Sequence, residues 1–85
     1  MQLDEICEQL ETYIAGEVLE GKSIGLDQKT PLLEWGIINS LEIVRLSNFV
    51  KDSFGVAIPN EMMTVENLQD IDSIGRLILD LQIQP

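Results

Sequence analysis

Ser40 is the residue best placed to do chemistry. It stands in Asn39-Ser40-Leu41-Glu42, where the apolar stretch Trp35-Gly36-Ile37-Ile38 gives way to a periodic run. The chain has no histidine, so a serine nucleophile would lack its usual general base. A hydroxyl at a helix start suits being modified instead. The free N–H groups and positive dipole end there favour a phosphate diester. A polar pair before an apolar run is, by itself, only a helix start, with Asn39 as cap and Glu42 completing a capping box. Two features go further: Leu41 falls off the core face beside Val44 and Arg45, and the residues before Ser40 are unusually apolar for a loop.

Other chemistry fares worse. Cys7 is the single cysteine; its spacing puts it on the core face of the first helix, as a small buried hydrophobe. Asp70-Ile71-Asp72-Ser73-Ile74-Gly75 has the opening of a calcium loop, but Ile74 replaces a ligand and Leu81 stands where the closing glutamate belongs. No glycine-rich phosphate loop is present. The sequence therefore points to no catalytic residue and no metal ligands, and the chain does not read as an enzyme.

The elements that must position Ser40 follow from periodicity. Leu3, Ile6, Cys7, Leu10, Ile14 and Val18 predict an amphipathic helix over roughly residues 2–20, ended by Gly21. Residues 21–39 form a long connection, within which Thr30-Pro31 reads as the start of a small turn, threonine as cap. A second helix spans about 40–54, with Ile43, Leu46, Ser47, Val50 and Phe54 on one face and Gly55 as the stop. Val56-Ala57-Ile58-Pro59 is an extended connector. A short helix is expected within 60–68, and Asp70 caps a last helix with Ile71, Ile74, Leu77, Ile78 and Leu81 inward. The expected fold is all-α: a bundle of four helices, the third short, with a long loop between the first two.

Composition bounds the function. Eighty-five residues make one small domain, 1–85. With 45% apolar residues but only 5% aromatics, the core must be built from Leu, Ile and Val. The net charge of −10 repels nucleic acid and anionic lipid and steers basic protein partners in. No apolar run reaches membrane-spanning length, and the first ten residues carry acids where a signal peptide carries bases. One cysteine allows no internal disulfide, which suits a reducing cytoplasm.

Gly36-Ile37-Ile38-Asn39-Ser40-Leu41 resembles the modification motif of stand-alone acyl and peptidyl carrier proteins, glycine–apolar–apolar–Asp/Asn–Ser–apolar. The resemblance extends over nearly the whole chain and implies a four-helix bundle. It also implies that Ser40 receives 4′-phosphopantetheine from coenzyme A, through a magnesium-dependent phosphopantetheinyl transferase, and that substrates then ride as thioesters on the arm. Many members have aspartate before the serine; Asn39 keeps the capping oxygen and loses the charge. The run from Thr30 to Leu41 is more closely similar to discrete carriers that hold proline while it is oxidised to a pyrrolyl thioester, and there asparagine fits. That likeness implies a proline-specific adenylating ligase and a flavin-dependent acyl dehydrogenase as partners, and a monomer that meets them in solution.

Partner contacts are expected around Ser40, from Trp35, Ile37, Asn39, Leu41, Val44 and Arg45, with Met62 and Met63 on the short third helix. Trp35 reads either as a lid over the core, the favoured reading, or as a substrate contact; the methionines fill the core or adapt to partners. Arg45 and Lys51 make the second helix less acidic than in fatty-acid-type carriers. The alternatives are a D-alanyl, other aminoacyl or polyketide carrier and, from a different class, an acidic helical adaptor that would need no serine after Asn39.

Overall fold

The computed structural model describes residues 2–19 and 26–83. Four α-helices carry the architecture: α1 (Leu3–Tyr13), α2 (Ser40–Phe54), α3 (Val65–Leu68) and α4 (Ile71–Ile83). Among the described residues there is no strand, and no helix is long and apolar enough to cross a membrane. The all-α bundle with a long connection between its first two helices is the fold that the periodicity predicts.

α1 buries Ile6, Cys7 and Leu10, mainly against α4, which turns in Ile71, Ile74, Leu77 and Ile78. α2 contributes Leu46, Val50 and Phe54. These side chains, with Leu32, Ile37, Ile38, Ile58 and Leu68 from the connections and α3, form one core. Complete burial of a side chain such as Leu32 or Ile74 contributes about 1.5–3 kcal/mol.

The end of the first helix differs from expectation. After Tyr13 the chain continues as a π-helical stretch, Ile14–Val18. The Leu19 N–H reaches back five residues to the Ile14 carbonyl at 2.9 Å, which widens the turn. Gly21, the expected cap, lies outside the described residues.

The other helix ends are largely as read. The Asn39 side chain accepts from the Glu42 N–H at 3.1 Å and the Asp70 carboxylate from the Ser73 N–H at 2.7 Å. Gly55 closes α2 at φ +72°, in the left-handed region where only glycine rests without strain. The capping box at Asn39 is only half built, because the nearest charged partner of the Glu42 carboxylate is the Arg45 guanidinium, 3.9 Å away.

Two local expectations are corrected. Thr30 does not cap forward onto the turn that follows it: its buried Oγ1 faces back, accepting from the Asp27 N–H at 2.8 Å. The short helix expected within 60–68 is present as α3, but it begins too late to carry Met62 and Met63: a separate 3₁₀ turn, Asn60–Met62, precedes it. Thr64 separates them, extended and accepting from the Asn67 N–H at 3.3 Å, so it starts α3 afresh.

Candidate functional site

Ser40 is the first residue of α2 and is exposed. Its hydroxyl makes no hydrogen bond among the described residues. Of the first backbone donors of α2, the Glu42 N–H is taken by the Asn39 side chain and the Ile43 N–H by the Asn39 carbonyl at 2.9 Å. The N–H groups of Ser40 and Leu41 have no such partner within the described residues. A phosphodiester on the Ser40 Oγ would thus stand beside two unspent donors at the positive end of a four-turn helix. The exposure of Ser40 and these two donors suit such a group.

Around the serine, Leu41 and Val44 are 63% and 58% exposed, and the Arg45 side chain is also mostly in solvent. Their spacing along α2 puts them on one face. Trp35 is 57% exposed, so it is not the core lid that the usual burial of tryptophan suggested. The core there is closed by Leu32, Ile37 and Ile38 instead. Ile37, expected at the partner-facing surface, is accordingly a buried residue. Met62 and Met63 are half-buried against the core in the 3₁₀ turn and just after it, rather than on α3.

The loop that delivers Ser40 is held by main-chain bonds. The Leu32 N–H donates to the Gln69 carbonyl at 2.8 Å, and the Leu32 carbonyl accepts from the N–H groups of Ile37 at 2.9 Å and Ile38 at 3.3 Å. One residue thereby ties the approach to α2 to the junction between α3 and α4. Gly36, at φ +71°, makes the turn that brings Ile37 back to Leu32.

A second tie lies upstream, where the Asp72 N–H donates to the Gln28 carbonyl at 3.0 Å. The Asp72 carboxylate accepts from the Lys29 ammonium at 2.9 Å and from the Arg76 Nε at 3.0 Å. These two hydrogen bonds, Lys29 first, hold its pKa below the usual carboxylate range. Sequence reasoning missed these ties. Backbone pairing leaves no residue signature, and Lys29 and Asp72 lie far apart in the chain.

The residues set aside on sequence grounds have structural roles. Cys7 is fully buried, its Sγ directed at the Ile71 carbonyl at 3.9 Å, and burial pushes its thiol pKa up, away from a reactive thiolate. Asp70 caps α4 and Asp72 pairs with cations, so neither is free to build a calcium loop.

No family model matches the chain. It is similar to the probable acyl carrier protein PigG of Serratia sp. (strain ATCC 39006), with 31% identity over 77 residues that span 91% of this chain and 88% of that protein. Among solved structures it superposes, at a TM-score of 0.79 and 37% identity, on a chain in one described as "Crystal structure of FAD-dependent dehydrogenase", covering 82% of this chain and 99% of that one. With the bundle, the exposed serine at the head of α2 and this likeness along nearly its full length, the chain belongs to the acyl carrier protein family.

Proposed function

We propose that Ser40 carries a 4′-phosphopantetheine arm and that the protein is a carrier rather than an enzyme, tethering an aminoacyl group as a thioester for other enzymes to act on. The observation that carries this reading is the exposed Ser40 hydroxyl, free of intramolecular bonds, with the N–H groups of Ser40 and Leu41 open beside it. In the modification step the Ser40 Oγ attacks phosphorus in the pyrophosphate of coenzyme A. A P–O bond to the adenosine portion breaks, and the hydroxyl proton passes to a base on the phosphopantetheinyl transferase, since this chain has no histidine to take it. Asn39 fixes where α2 begins, and so the direction in which the hydroxyl points. The arm, once attached, supplies the thiol on which the cargo is carried.

The cargo we assign is prolyl, oxidised to pyrrolyl while bound. The partners are a proline-specific adenylating ligase and a flavin-dependent acyl dehydrogenase, met by a monomer in a reducing cytoplasm. Support comes from the run Thr30 to Leu41 and from the structural neighbour. Since 82% of this chain covers 99% of the matched one, the matched chain is the shorter, and too small to be a flavin dehydrogenase itself. A carrier-sized chain in a flavoenzyme structure supports a pathway in which such chains are handed to a dehydrogenase. Trp35, Leu41, Val44 and Arg45 offer the apolar and cationic surface for those encounters.

The test is intact mass after incubation with coenzyme A, magnesium and a promiscuous transferase. The parent gains one phosphopantetheine and Ser40→Ala gains none while keeping its helical spectrum. A gain that persists in Ser40→Ala would place the arm elsewhere. Loading of the modified protein by adenylating enzymes for proline, D-alanine and other amino acids then decides the cargo, with proline expected.

A further inference from the structure

Tyr13 and Phe49 do not belong to the surface around Ser40. Their rings stack with centroids 4.1 Å apart and 19° between planes, and both side chains remain partly exposed. The stack links α1 to α2 outside the buried core, whose α2 contribution is Leu46, Val50 and Phe54. Two depressions meet at this pair. One, of about 530 Å³, runs along α1 and the π-helical stretch past Glu8, Thr12 and Gly16. The other, of about 400 Å³, runs along α2 past Arg45, Asn48 and Asp52. Tyr13, Glu17 and Phe49 line both, so the two form one continuous groove.

Its make-up is specific. Tyr13 and Phe49 line it together with the carboxylate-bearing Glu8, Glu17 and Asp52 and the single guanidinium of Arg45. The wall formed by the π-helical stretch is low at Gly16, where a Cβ would find no atom within 4 Å. Burial, and then the negative field of Glu42 and Glu17, push the Tyr13 phenol pKa up, which leaves the ring neutral at physiological pH.

We propose that this groove is a second docking site, which takes an arginine-bearing helix of a partner protein, its guanidinium stacked on an outer face of the Tyr13–Phe49 pair and bonded to the Glu8 or Glu17 carboxylate. Arginine fits because its planar cation both stacks on aromatic faces and pairs with carboxylates in a fork, whereas an ammonium only pairs. Charge selects among occupants. A second copy of this chain, at net charge −10, is repelled, as are nucleic acid and anionic lipid. Arg45 lies about 7–8 Å from Ser40 along the α2 axis, and Ser40 does not line the groove. The inference does not depend on what Ser40 carries.

The probe is a synthetic amphipathic helical peptide with two arginines one turn apart, beside versions with lysine and with norleucine at those positions. Each is titrated into the ¹⁵N-labelled protein. Saturable shifts are expected at Gly16, Asn48 and Phe49 with the arginine peptide, binding about threefold to fivefold tighter than the lysine peptide, and no saturation with norleucine. Glu8→Gln/Glu17→Gln, two surface changes that leave the core intact, should weaken the arginine peptide at least as much. Equal binding of the norleucine peptide, shifts centred on Trp35, Leu41 and Val44, or no saturable shift at all would each overturn the proposal. The mass gain at Ser40 reports separately on the carrier reading.

Discussion

At the scale of single residues, Gly75 decides how closely α1 and α4 approach. A Cβ at this position would stand 2.7 Å from the Cys7 Sγ and 3.2 Å from the Leu3 Cδ1, in a contact with no spare room. Gly75→Ala is therefore expected to destabilise the protein by about 1–3 kcal/mol, despite alanine's better helix propensity. Urea denaturation measures this, and the double variant Cys7→Ala/Gly75→Ala should recover part of the loss. An unchanged midpoint in the single variant would show that the helices separate freely. Cys7 was legible from its three- and four-residue spacing in α1. Gly75 was not, because its role is defined by a side chain on another helix. The same contrast runs through the polar residues: Asn39 and Asp70 announce themselves as caps by preceding apolar periods, whereas Thr30 precedes proline and still turns its hydroxyl backward to Asp27.

Between elements, the long connection is held at Leu32 by main chain and at Asp72 by charge. Asp72 has a folded-state pKa lowered by Lys29 and Arg76, so its contribution to stability is fully present above the unfolded value of about 3.9. It is lost as pH falls below that value and through the lower folded one. Asp72→Asn should thus be slightly less stable than the parent at neutral pH, with the difference vanishing in acid. Stability curves of both proteins from pH 7 to pH 2.5 check this; a gap that widens on acidification would reverse the assignment. The loop amides of Leu32, Ile37 and Ile38 should also exchange faster in the variant at neutral pH. The existence of the loop and its apolar content were readable from composition. Its two points of attachment were not, since a carbonyl at Gln28 or Gln69 is chemically the same as any other.

Across the whole molecule, charge sets the long-range behaviour. Fifteen acids against five bases give a field that attracts basic proteins from a distance, while Leu41, Val44 and Arg45 stand exposed near Ser40. The fold class was legible because three helices repeat apolar residues over several turns. The surface around Ser40 was legible only in outline: Leu41, Val44 and Arg45 are exposed, whereas the sign of Trp35 and Ile37 was set by which of them the turn at Gly36 sends inward.

The tie from Leu32 to Gln69 has a consequence for timing. Ser40 is synthesised before Gln69 and Asp72 leave the ribosome, so the loop leading to it has nothing to bind until the start of α4 has also emerged. If Ser40 carries the proposed arm, a released chain that ends before Gln69 should be a poor acceptor for a phosphopantetheinyl transferase, and one that runs through α4 a good one. Assaying arm attachment to both released chains would show whether the last helix is what licenses the serine.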